Sequence, residues 1–146
     1  MKKTVLIVGC LLTLLFLCSC ETEEQKDMQV THNRSIIFIN EVNDADVWIL
    51  PQTGENLKTT VWGTPTISKA KTGESRHAPL YDAEDDGLYI LRMIDTDGCF
   101  YAADGIKLEP GWTIEIKGNV LELITVEVKD EKGVLTGTYD VFAAKL

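Results

Sequence analysis

The side chains best placed for chemistry are acids. Tyr81-Asp82-Ala83-Glu84-Asp85-Asp86-Gly87 is an acidic loop, and Asp95, Asp97 and Asp104 stand in later turns. Ca²⁺ takes roughly six to eight oxygen ligands, so Asp82, Glu84, Asp86, Asp95 and Asp97 form the expected cation site. The spacing is not that of an EF-hand, whose loop needs alternating acids, a Gly and a late Glu. A solvated acidic turn, with Asp-Gly chosen for its backbone, explains the same residues without a metal. Aromatic residues suggest a second chemistry. Trp62, beside Gly63 and Pro65 in an expected loop, and Tyr81 are the side chains expected to stack on a glycan. Trp48 and Trp112 fit buried strand positions instead.

Catalysis finds less support. His32 and His77 are single and far apart in the chain, which supplies neither a zinc pair nor a triad at a recognisable spacing. Gly73-Glu74-Ser75-Arg76-His77 is not a nucleophile elbow, which ends in a second Gly. Two facing carboxylates for glycoside hydrolysis make a small hydrolase the third reading, because acids are abundant. Leu50-Pro51-Gln52-Thr53-Gly54 spells the LPxTG sorting signal. No apolar segment and basic tail follow it, and a strand end with a turn accounts for it.

At the N-terminus, Lys2 and Lys3 precede Val5 to Leu17, an almost wholly apolar stretch too short for a bilayer core of ~30 Å. It ends in Leu17-Cys18-Ser19-Cys20. These four residues resemble the lipobox of bacterial lipoproteins: an apolar residue, two small ones and an obligatory Cys. The resemblance implies that residues 1–19 are a signal peptide and that Cys20 takes a diacylglycerol and becomes the first mature residue, its amino group acylated. Each buried CH₂ adds ~0.8 kcal/mol, so several chains make a stable anchor. Residues 20–33 follow as a flexible acidic tether, since Glu21 to Asp27 holds no apolar residue. The tract is similar to the acidic signal after the Cys in surface-exported lipoproteins of one gut-dwelling Gram-negative phylum; a plain solvated spacer has the same composition. The implied place is the outer membrane, with the domain facing outward or into the periplasm.

Charge narrows the partners. The chain carries 14 Lys and Arg against 23 Asp and Glu, a net charge of −9. Loss of Lys2 and Lys3 takes the basic count to 12 and the net charge to −11. Nucleic acid is excluded as a partner, because phosphates need basic surface. Direct adhesion to anionic lipid is disfavoured too, so membrane attachment falls to the lipid on Cys20. With Cys10 and Cys18 removed and Cys20 acylated, Cys99 is left alone and no intrachain disulfide forms; it reads as a small buried hydrophobe at a strand start.

The elements that position these residues are strands. Short apolar segments alternate with Gly, Pro, Asp and Asn turns, and no helical period stands out. Strands are expected at residues 35–40, 46–50, 57–62, 74–80, 88–94 and 99–103. Leu88 to Ile94 is nearly continuous in apolar residues, which suggests a central strand, and Asp97-Gly98 supplies the positive φ of a tight turn. Trp112, Ile114 and Ile116 alternate with polar residues, and Gly118-Asn119 signals a two-residue hairpin. Leu121 and Leu123 then point inward, and Val126 and Val128 do so on the opposite parity, which predicts a β-bulge near Ile124. Leu135, Gly137, Tyr139 and Val141 form the last inward face. Residues 34–146 therefore read as a single all-β domain, an antiparallel β-sandwich of about seven to nine short strands, immunoglobulin-like or transthyretin-like.

Trp48-Ile49-Leu50-Pro51, Val61-Trp62-Gly63, the run Leu88 to Gly98, Tyr101 and Gly105 resemble a loose group of small secreted β-sandwich lipoproteins of gut Gram-negative bacteria. That resemblance implies the fold and carries no activity, cofactor or partner. The leading reading is a lipid-anchored, non-enzymatic accessory or interaction domain for a protein or glycan partner. A glycan- or Ca²⁺-binding module is the alternative. Cys20→Ala is expected to abolish palmitate-probe labelling and release the chain from membranes; a variant still labelled contradicts the lipobox reading.

Overall fold

Strand-forming runs separated by glycine and aspartate turns build an all-β architecture. The computed structural model describes residues 34–83, 86–119 and 123–146. The expected signal peptide, Cys20, the tether, His32, Glu84 and Leu121 lie outside the described residues. Ten strands are formed: β1 (Ser35–Asn40), β2 (Ala45–Pro51), β3 (Ile67–Ala70), β4 (Glu74–Pro79), β5 (Leu88–Asp95), β6 (Cys99–Lys107), β7 (Thr113–Lys117), β8 (Thr125–Lys129), β9 (Leu135–Asp140) and β10 (Phe142–Lys145). One short helix, α1 (Gly54–Lys58), follows β2. Among the described residues no helix is long and apolar enough to cross a membrane.

The strands form two five-stranded sheets, β4-β1-β7-β8-β9 and β10-β6-β5-β2-β3. Alternation along each strand sends one face inward. Ile36, Phe38, Ile114, Ile116, Val126 and Val128 of the first sheet join Val47, Ile49, Leu91, Met93 and Tyr101 of the second in one buried cluster. This sandwich-like packing meets the expected class. It is not wholly antiparallel, because β1 pairs with β7 in parallel, Phe38 opposite Ile114.

Three local expectations are corrected. Residues 57–62 do not form a strand; Thr53 caps α1, its Oγ1 accepting the Asn56 N–H at 3.0 Å, and an irregular segment follows. The outer partner of β2 is instead β3, whose inward residues Ile67 and Ala70 are three apart because the pairing is irregular between Ala45 and Val47. A period of two therefore never appears there. The β7–β8 hairpin closes at Lys117 opposite Thr125, so Gly118-Asn119 opens a longer connection. Leu123 is 69% exposed while Ile124, Val126 and Val128 are buried. Leu123 therefore does not point inward, and β7 and β8 pair without a bulge.

The two outer faces differ. On the first sheet, Glu115 and Glu127 lie opposite each other and are neutralised across the strands. Lys129 Nζ reaches Glu115 at 2.7 Å and Lys117 Nζ reaches Glu127 at 2.7 Å. That face is built for water. The second sheet carries apolar residues on both faces, and its outer one is the subject of the site.

Candidate functional site

Residues opposite one another on neighbouring strands share a face. On the second sheet this places Trp48, Arg92, Ala102 and Phe142 in one outer row across four strands, with Ile94, Phe100 and Ala144 in the next. Apolar surface on that scale needs cover, at about 25 cal/mol per Å² removed from water. The segment from Gln52 to Thr66 supplies it as a strap. Gly105 N–H donates to Gln52 Oε1 at 2.6 Å, Asn56 Nδ2 to the Pro51 carbonyl at 2.8 Å, and Trp48 Nε1 to the Gly63 carbonyl at 3.1 Å. Ile49 N–H donates to Thr66 Oγ1 at 3.0 Å. Trp62 then lies flat on Phe100, ring centres 5.6 Å apart and planes within 6°, and meets Trp48 at 5.7 Å and 54°. Gly105, at φ 67°, sits where the β5–β6 pairing is irregular, in a left-handed conformation that suits glycine.

Beneath the strap lies Arg92, only 6% exposed. Its Nη1 donates to the carbonyls of Leu91 and Ala103 at 2.9 and 3.2 Å and to Asp104 Oδ1 at 2.6 Å. A buried guanidinium requires such pairing, since an isolated buried charge costs far more than a neutral group. Between strap and sheet runs a groove of about 390 Å³, lined by Leu57, Lys58, Thr59, Thr60, Trp62, Arg92, Ile94, Phe100, Ala102 and Leu146. Trp62 Nε1 is buried there with no hydrogen-bond partner.

The expected cation set is not brought together. Asp86 caps the start of β5, its Oδ1 accepting the Leu88 N–H at 3.1 Å, whereas Asp95 ends that strand. The two ends of β5 are ~23 Å apart at the usual strand rise, so these acids cannot bind one ion. Asp82 is paired with Arg34. Asp97 is exposed in the β5–β6 turn, and Glu84 lies outside the described residues. Among the described residues no group of three metal-ligating side chains forms. The expected stacking pair is also divided. Tyr81 sits near the start of β5, its carbonyl accepting the Tyr89 hydroxyl at 2.6 Å, while Trp62 covers Phe100, the partner of Ile94 near the other end. Trp48 is buried, but under the strap rather than in the central core. Residues 50–54 turn from β2 into α1, as a strand end should. Cys99 is a free, half-buried thiol at the start of β6.

Asp95 has a different role. Its Oδ1 accepts the N–H groups of Asp97 and Cys99 at 2.9 and 2.8 Å, and its Oδ2 accepts Asn43 Nδ2 at 2.9 Å and the Tyr101 hydroxyl at 2.7 Å. Burial alone would raise its pKa, but these four donors outweigh it and hold the carboxyl below the ordinary 3.8. The same burial and the carboxylate beside it push the Tyr101 hydroxyl up. Next to Asn43, Asn40 bonds the carbonyls of Asn43 and Ala70 at 2.6 and 3.1 Å. This polar knot ties the end of β1 in the first sheet to β5 and β6 in the second.

Comparison with protein-family models, curated proteins and solved structures found no match for this chain.

Two outcomes follow from this geometry. Asp95→Asn is expected to cost about 2 kcal/mol in urea unfolding at neutral pH, the scale of hydrogen bonds to a charged group. The contribution of Asp95 is complete above pH 3.8 and is lost as pH falls through its lower folded value; an unchanged acid limb in the variant refutes the assignment. Trp62→Phe keeps a ring on Phe100 and removes the orphan N–H, so its stability should match or exceed the parent's. Trp62→Ala uncovers the ring and should lose about 2 kcal/mol. A Phe variant as unstable as the Ala variant would contradict the role given to the ring.

Proposed function

We propose that this chain is a lipid-anchored, non-enzymatic binding domain of the outer membrane, held by Cys20 and taking its ligand in the groove beneath the strap. The observation that carries the binding half is the asymmetry of the two sheets. One outer face is finished for water by crossed ion pairs. The other keeps aromatic and aliphatic surface around a groove of about 390 Å³, within the size range of small-molecule sites. Val61, Phe142 and Leu146 stay exposed on the strap, on β10 and at the groove edge, which extends the apolar rim a ligand would meet. Anchoring rests on the lipobox-like residues and the acidic tract after them.

The fold type we favour is transthyretin-like. An immunoglobulin domain keeps its first two strands in one sheet, whereas this chain changes sheet between β1 and β2.

Nile red, a neutral apolar dye, is expected to brighten on the native chain and to stay dim on Ala102→Trp, which fills the groove floor. Equal brightening on both proteins would remove the groove from the proposal.

A further inference from the structure

Two cationic side chains line the groove. A chain with 23 acids and 14 basic residues lines this groove with Lys58 and Arg92 and with no acidic side chain among the described residues. Lys58 makes no ion pair among them. All three hydrogen bonds of Arg92 leave from Nη1; Nε and Nη2 make none to the protein, and neither is sealed from solvent as Trp62 Nε1 is. Trp62 Nε1, a third donor, is buried without an acceptor. Nε with Nη2 is the edge of a guanidinium that takes a carboxylate through two parallel hydrogen bonds. Beside these donors lie Ile94, Phe100 and Leu57, which offer hydrocarbon and ring surface.

Resting on the groove as the binding site, we propose that its ligand is a small apolar carboxylate. The carboxylate takes the open edge of Arg92. The hydrocarbon part lies against Ile94 and Phe100. Lys58 at the α1 end adds a screened attraction. Asp104 remains on Nη1, so the incoming anion brings its own hydrogen bonds and does not displace the existing pair.

The same chemistry arises in a free organic acid and in the C-terminus of a peptide with an apolar last residue. The test is calorimetric titration of the full chain with 4-phenylbutyrate, 4-phenylbutyramide, and a tetrapeptide ending in Phe with a free or an amidated terminus. At least one acid is expected to bind ten times or more tighter than its amide, and the acid that does so identifies the source. Arg92→Lys, which keeps the charge and loses the fork, should collapse the preference to under threefold. Lys58→Gln lies on the exposed helix and does not threaten folding; it should weaken the acid two- to threefold and leave the amide unchanged. Acids binding no better than amides overturn the proposal. If Nile red still responds to the groove in that case, only the ligand class is lost; if it does not, the groove reading falls as well.

Discussion

A strand that is apolar on both faces needs shelter on both sides, and β5 imposes that requirement on the whole domain. Met93 and Leu91 face the shared core, and Ile90, Arg92 and Ile94 face the other way. Central strands of open sheets meet this demand with helices. Here the cover is the strap between β2 and β3, tied to the sheet by the side chains of Gln52, Trp48 and Thr66. Because the strap is held at its two ends and by one aromatic stack, it covers the sheet incompletely. The groove is the part left open.

The polar groups of the second sheet follow from the same demand. Arg92 lies under cover, so it must be paired, and Asp104 from the neighbouring strand pairs with it. At the end of β5 the chain leaves the sheet through a tight turn, and Asp95 binds the turn's amide groups while holding Asn43 and Tyr101. Gly98, at φ 76°, supplies the left-handed residue of that turn. Two buried charges on one strand thus have separate tasks: one fastens the sheets to each other, and the other sits at the base of the groove.

Much of this was legible from residue order. The strands at 35–40, 88–94 and 99–103 carry unmistakable apolar patterns, and Trp112 to Ile116 alternates cleanly. The strap was hidden for a physical reason: Trp62 docks onto the sheet from an irregular segment and Leu57 lies on a single helical turn, neither of which has a period to detect. The weak strand at Ile67 was hidden by its irregular pairing with β2. The groove has one signal in the residue order. An Arg in the middle of Leu88 to Ile94, a run apolar enough to be buried on both faces, has to find a carboxylate partner. Asp104, by composition a turn acid, is that partner. Asp86 and Asp95 stand at opposite ends of β5, and an acidic composition does not reveal which end of a strand a residue occupies.

The outer strands β3, β4, β9 and β10 are also informative. β3 and β10 are four residues each, and β3 contains Lys69 at φ 51°. β4 ends in Pro79, and β9 is irregular in its pairing with β8 near Thr136. None offers a long, flat ladder of unpaired backbone groups to another chain, a hazard that natural sheets manage by such devices. Neighbouring copies would therefore meet without zipping into shared sheets, and the sheet edges stay as each chain's own.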